Sequence, residues 1–345
     1  MLKQKFAALL ATAAILVLLA VPALAEDAAP ETDAAAPQPE TAQEETALPS
    51  ADAPAPEEPE EPEEPKPQIT YVALGDSITA GVGLSDLQYN TAQIGLDLKP
   101  NFEGYSSRCY TALVGQELGL DRQHAINLGL PGLMSSDLLD MVRSGGMPQM
   151  NQASGSYYVY PEYQEYLRNA DVISIQIGSN DALVPCIVSL GEATNWKSEQ
   201  LANMMVSGML RDFNFQKLGM VLDALNRMWL TFDESSATNR LLFRGMGEIC
   251  NRAYDSVTSD LPQIVAAIRE LNPDAKIVLL GYTNPVPMIP AWNSYFKRLN
   301  SFAQDLARQE GLIYVAIPKT ETATDGHPTV KGHQYIAKQI LSALQ

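Results

Sequence analysis

Five short apolar runs, at 69–74, 125–128, 172–177, 276–280 and 312–317, alternate with longer stretches of helical periodicity at 107–118, 135–143, 259–271, 291–309 and 329–344. No other feature of the sequence limits the fold as tightly. The alternation predicts a parallel sheet with helices on both faces, because a strand covered on both sides reads as a continuous apolar run and parallel neighbours need long crossovers. The 278 residues from 68 to 345 suit one domain with an ample core, and no internal repeat is present. Two stretches rich in Gly, Tyr, Asn and Gln, 86–105 and 145–166, read as long loops over the sheet edge.

A helical insertion is expected at about 182–250. It carries Met204, Met205, Met209, Met220, Met228 and Met246, with Trp196 and Trp229. Methionines at helical spacing ordinarily fill a core, although flexible thioethers also line covers over apolar ligands.

The first 67 residues stand apart from this pattern. Lys3 and Lys5 precede an apolar run that ends in Ala23-Leu24-Ala25, the mark of a signal peptide over 1–25, so export is expected. Left uncleaved, a segment of that length could anchor the chain in a membrane. Residues 26–67 are Ala-, Pro-, Glu- and Thr-rich, with 14 acidic residues against one lysine, and have too little apolar surface to offset the entropy of ordering. They read as a disordered, self-repelling tether that could hold the domain at a cell surface. Most of the formal charge of −18 sits there; 68–345 has 27 acidic and 20 basic residues. That balance, without a basic stripe, speaks against nucleic acid as a partner.

Chemistry gathers where the strand runs end. Gly75-Asp76-Ser77 follows the first run, Asn127-Leu128-Gly129-Leu130-Pro131-Gly132 the second, and Gly178-Ser179-Asn180-Asp181 the third, while Gly326-His327-Pro328 precedes the last helical stretch. In a parallel sheet these ends share one edge, so a hydroxyl, an imidazole and hydrogen-bond donors would meet there from distant parts of the chain. Read alone, Asp76 or Ser77 would be a helix cap and Asn180 a loop bridge. Of the three histidines, His124 has no companion motif and His333 falls among apolar residues of the last helix, which leaves His327 as the candidate base.

These four motifs, in this order, resemble those of the SGNH, or GDSL, hydrolase family. The resemblance implies a flavodoxin-like three-layer α/β/α fold with a parallel sheet, and ester hydrolysis through an acyl-enzyme. It implies Ser77 as nucleophile and His327 as its base. The backbone N–H of Ser77, the backbone N–H of Gly132 and the side-chain amide of Asn180 would form the oxyanion hole. Gly129 is the rival of Gly132 for that place. The usual aspartate three residues before the histidine is replaced by Thr324, so Asp325, two residues before it, is expected to orient the imidazole, with Thr324 or a main-chain carbonyl as the alternative.

Cys109, Cys186 and Cys250 permit one disulfide, and pairing Cys186 with Cys250 would close the insertion at its two ends. No metal-ligand spacing occurs and nothing points to a cofactor. The expected protein is a monomeric, exported serine esterase acting on a small-molecule, lipid or glycan ester. The apolar insertion favours acyl or lipid esters. Tyr89, Tyr105, Tyr157, Tyr158, Tyr160 and Tyr163 could instead stack on sugars, which keeps a carbohydrate or cell-wall O-acetylesterase in view. A non-catalytic binding module on an acidic stalk is the reading from another class.

Overall fold

The computed structural model describes residues 69–87, 92–94, 97–99, 105–148, 157–206, 215–284, 289–323 and 326–345. The expected leader and tether lie outside them, as do Tyr89, Met209, Thr324 and Asp325. Among the described residues no helix is long and apolar enough to cross a membrane.

In chain order the strands are β1 (Tyr71–Gly75), β2 (Ala92–Ile94), β3 (Asp97–Lys99), β4 (Ala125–Gly129), β5 (Val172–Gln176), β6 (Lys276–Leu280) and β7 (Ile313–Val315). Five of them form one parallel sheet in the order β4-β1-β5-β6-β7, and β2 pairs antiparallel with β3. The chain lays β4 on one side of β1 and then returns to lay β5 on the other. A topological switch therefore opens a crevice beside the carboxyl end of β1.

The helices are α1 (Ser77–Ala80), α2 (Tyr110–Glu117), α3 (Ser135–Ser144), α4 (Tyr163–Arg168), α5 (Ser179–Ala193), α6 (Glu199–Val206), α7 (Phe215–Arg227), α8 (Phe232–Arg240), α9 (Met246–Leu271), α10 (Pro290–Glu310) and α11 (Val330–Leu344), with a π-helical turn, Leu241–Gly245, leading into α9. Period-two alternation along the strands divides the core. Val72, Leu74, Ile173, Ile175, Ile277 and Leu279 face α3, α4, α5, α9 and α10. Tyr71, Ala73, Val172, Val278 and Leu280 face α2 and α11. Side chains of opposite parity thus leave the sheet on opposite faces, which gives the three layers.

Two regions differ from the sequence reading. The stretch 86–105, expected as loop, contains the β2–β3 ladder. The helix expected at 259–271 begins thirteen residues earlier, at Met246, and Pro262 lies inside it. At 26 residues α9 is about 39 Å long, against roughly 17 Å for a five-residue strand such as β6. Val257 lies within van der Waals reach of Gly178, just past the end of β5, so the part of α9 before Val257 projects beyond the sheet's carboxyl edge. There it carries the insertion, whose α6 and α7 form a small separate core of Leu201, Met204, Val221, Ala224, Leu225 and Met228. Met246 joins the main core, and Met220 is exposed.

Candidate active site

The Ser77 turn is held by the residue before it. Asp76 leaves β1 in an extended conformation and caps α1, accepting from the Ile78 N–H at 2.9 Å. Its other oxygen accepts from Ser179 Oγ at 2.7 Å and from the Tyr282 hydroxyl at 2.8 Å. One buried carboxylate therefore pins together the chain just past β1, β5 and β6. Burial pushes its pKa up, while these three donors and the His327 imidazole pull it back. Below α1, the Thr79 hydroxyl meets Tyr110 Oη at 2.8 Å and the Thr79 carbonyl accepts from Asn127 Nδ2 at 2.8 Å. Gly129 lets β4 approach this turn, since a Cβ there would lie 2.4 Å from Ala80 N.

His327 reaches Ser77 across 250 residues of sequence, with Nε2 3.0 Å from Ser77 Oγ. It sits in a short closed loop after β7. Thr322 bridges Pro328, Ala323 N–H donates to the His327 carbonyl at 2.9 Å, and Gly326 N–H donates to the Ala323 carbonyl at 3.0 Å. Gly326 has a φ of 83°, so the tight reversal falls on a residue without a Cβ. At the loop's far end Thr329 caps α11 through Gly332 N–H and donates to Glu321 Oε1 at 2.6 Å. The two residues proposed to orient the imidazole, Asp325 and Thr324, lie outside the described residues.

The third motif is joined to the residues that follow the second. Asn180, buried in the first turn of α5, donates from Nδ2 to the Leu133 carbonyl at 3.0 Å, which leaves the second hydrogen of its amide. Asp181 beside it accepts from Ser135 N–H and from Ser135 Oγ. The Gly129 N–H is committed to Asn127 Oδ1 at 2.9 Å. The Gly132 N–H has no partner among the described residues, and the residue has a φ of 77°. Tyr158 donates from its hydroxyl to the Pro131 carbonyl at 2.8 Å. Because that carbonyl and the Gly132 N–H point opposite ways in one planar peptide, the bond turns the N–H away from Tyr158. No sequence signal marked Tyr158 for this task.

The other candidates fall elsewhere. His124 pairs at the surface with Asp121, 2.7 Å away. His333 is buried, stacks on Tyr110 and accepts from its backbone N–H at 3.2 Å. The expected bridge between Cys186 and Cys250 is absent, and all three cysteines are buried free thiols. Cys186 belongs to α5 and Cys250 to α9, which pack through the main core without a covalent link. Burial holds the Cys186 thiol up at about 12, an unreactive state. Of the tyrosines considered for sugar stacking, Tyr105, Tyr158 and Tyr163 are buried. Among the described residues no group of three or more His, Cys, Asp or Glu side chains could hold a metal ion.

The site can therefore bring a hydroxyl, an imidazole and uncommitted N–H donors to one sheet edge. The sequence profile of the GDSL-like lipase/acylhydrolase family matches residues 73–335. No curated protein matches the chain. Among solved structures it is similar to the lipase Lip_vut3 from a goat rumen metagenome, at 17% identity and a TM-score of 0.45 over 80% of this chain and 97% of that one. A phospholipase A1 from Streptomyces albidoflavus is similar at 17% identity and a TM-score of 0.36, over 80% and 99% of the two chains. For a family two carbohydrate esterase from Clostridium thermocellum the values are 15% and 0.39, over 81% and 64%. With the profile spanning the sheet from β1 to α11, the chain belongs to the GDSL-like lipase/acylhydrolase family, a family of acyl-ester hydrolases.

Proposed function

We propose that the protein is an exported serine esterase that cleaves carboxylic esters through an acyl-enzyme on Ser77. The observation that carries this reading is the 3.0 Å contact between Ser77 Oγ and His327 Nε2 at the carboxyl edge of the sheet. A serine hydroxyl attacks an acyl carbonyl well only when a neighbouring base takes its proton, and Nε2 stands within reach. The oxygen that becomes negative is met by the N–H groups of Ser77 and Gly132 and the free amide hydrogen of Asn180. These donors are fixed beforehand by α1, by the Tyr158–Pro131 bond and by the Asn180–Leu133 bond. His327 then returns the proton to the departing alcohol. Water repeats the sequence in reverse and frees the acid. In this scheme Asp325 holds the imidazole tautomer.

The acyl group is the part of the substrate that the insertion favours. Burial of Tyr105, Tyr158 and Tyr163 removes three of the six tyrosines considered for sugar stacking, while the insertion offers Trp196, Trp229 and Phe232 as exposed apolar surface. The test is hydrolysis of p-nitrophenyl esters from acetate to palmitate by the full chain, with fluorophosphonate labelling of Ser77. A medium- or long-chain optimum supports an acyl-ester enzyme, a sharp acetate optimum redirects the assignment to a carbohydrate O-acetylesterase, and no turnover with no labelling leaves a binding module. Export and surface retention through residues 26–67 belong to the same proposal and are read by comparing cell-surface protein with and without that segment.

A further inference from the structure

A second constellation lies behind the donors. Ser135, the first residue of α3, is touched from two sides: its Oγ is 2.6 Å from Asp181 Oδ1 and 2.9 Å from Asp260 Oδ2. A hydroxyl has one hydrogen and can satisfy only one carboxylate. The second oxygen–oxygen contact needs a hydrogen of its own, which only a protonated carboxyl can supply. One added proton would satisfy both contacts among these three side chains from α5, α3 and α9.

The place of this trio gives it a task. Asn180 and Asp181 are neighbours at the start of α5, and they grip the segment just past the second motif at two points, the Leu133 carbonyl and the Ser135 N–H and hydroxyl. Gly132 lies directly before the gripped segment. Whatever fixes Asp181 against Ser135 therefore fixes the spacing between the Asn180 amide and the Gly132 N–H. Asp260 adds the third point and ties both to the long helix that carries the insertion.

We propose that Asp181, Ser135 and Asp260 form a one-proton clamp that positions the Gly132 and Asn180 oxyanion donors, so that losing the proton loosens the site. The inference rests on the serine-esterase reading of that site. Asp181 is the holder of the proton: it is buried, and burial together with the nearby Asp260 charge pushes it up to about 7, against the pull of its bonds from Ser135. Tyr295 on α10, whose hydroxyl donates to the Gly178 carbonyl, feels the Asp181 charge, and α3, which begins at Ser135, carries Asp137, Asp140 and Arg143, of which Asp140 feels both Asp260 and Arg143. Of these, Asp137 accepts from the Met134 N–H at its own helix start. With Asp181 protonated, its proton goes to Ser135 Oγ and the Ser135 hydrogen goes to Asp260. Once Asp181 is ionised, Ser135 turns its hydrogen to Asp181, and two carboxylates face one oxygen with nothing between one of them and it.

The full chain tests this with Asp181→Asn, Asp260→Asn and Ser135→Ala, compared with the unaltered protein in kcat, KM and infrared spectrum as functions of pH. The expected infrared result is a protonated-carboxyl stretch that titrates near neutrality in the unaltered protein and is missing in Asp181→Asn. The expected kinetic result is a kcat that falls on the alkaline side in the unaltered protein. In Asp181→Asn and Asp260→Asn that fall moves up by about a pH unit or more, since an amide brings its own hydrogen to Ser135. In Ser135→Ala, kcat drops about tenfold while KM moves much less, the signature of lost transition-state positioning. A missing infrared band, or amide variants whose pH profiles superimpose on the unaltered one, overturns the clamp. Failure of the esterase reading looks different, because Ser77 then takes no fluorophosphonate while the infrared titration still reports on the proton.

Discussion

The carboxyl edge of the sheet and the helical insertion projecting beyond it are built on different terms. At the edge, buried polar side chains have specific partners: Asp76 has three donors, and Asn180 and Asp181 bind the segment just past the second motif. The insertion has a small apolar cluster and also leaves large side chains exposed, Trp229 at 77%, Phe232 at 61% and Phe243 at 84%. The first region tolerates little displacement because its hydrogen bonds fix both distance and direction. The second is held by non-directional burial, which accepts changes of side chain and of outline. In the proposed enzyme, chemistry belongs to the region of fixed geometry and choice of substrate to the adaptable one.

Substitutions can break or sharpen that contrast. The largest effect is expected from Ser77→Ala or His327→Ala, each lowering kcat by roughly 10³–10⁶ with the melting temperature nearly unchanged. A loss below tenfold in an ester-hydrolysis assay would remove the pair from the mechanism. Asn180→Ala comes next, with kcat lower by about 10²–10³, as removal of one preorganised oxyanion donor costs. In the sheet, Leu128→Ala should cost about 2–5 kcal/mol in denaturant unfolding, because Leu128 is fully buried. Phe243→Ser, at the exposed extreme of the insertion, should fall within about 0.5 kcal/mol. Comparable costs for these two would mean that Phe243 is covered by something in solution, and the contrast would fail.

Titration supplies a subtler probe of the edge. Asp181 is raised in the folded protein from 3.8 to about 7, so between those two values the folded state holds a proton that the unfolded chain has released. Stability from this group is therefore full below pH 4 and declines as pH rises toward and through 7. Asp181→Asn should remove that decline, as thermal melts between pH 5 and 8 would show. A slope of the same size in the variant would assign the dependence to another group.

Legibility in the sequence follows the same division. Strand β6 lies where its apolar run does, and the edges of the other sheet strands shift by two residues or fewer at either end, because period-two burial writes itself directly into residue type. Helix α9 was legible only from Ser259 onward. Ser259-Asp260-Leu261-Pro262 carries a cap residue followed by a proline in the first turn, a sound local signal for a helix start. Packing of Val257, Ile249 and Ala253 against the core overrides it. The β2–β3 ladder was missed because three-residue strands leave almost no pattern to read. At the site, Ser77, His327, Gly132 and Asn180 stood out as short motifs. Tyr158 and Asp260 did not, since each acts through one long-range hydrogen bond that no local spacing records.

The three bonds to Asp76 carry one more consequence, for the order in which the molecule becomes competent. Ser179 follows β5, Tyr282 follows β6, and the imidazole arrives only after β7. A nascent chain that has made the Ser77 turn has the local Ile78 bond to Asp76, but it does not have both of the long-range Asp76 donors and the imidazole until nearly the whole domain has been synthesised and its strands laid side by side. In the proposed mechanism Ser77 is thus the first part of the site to be made and the last to be armed, and its covalent capture would count finished molecules rather than chains.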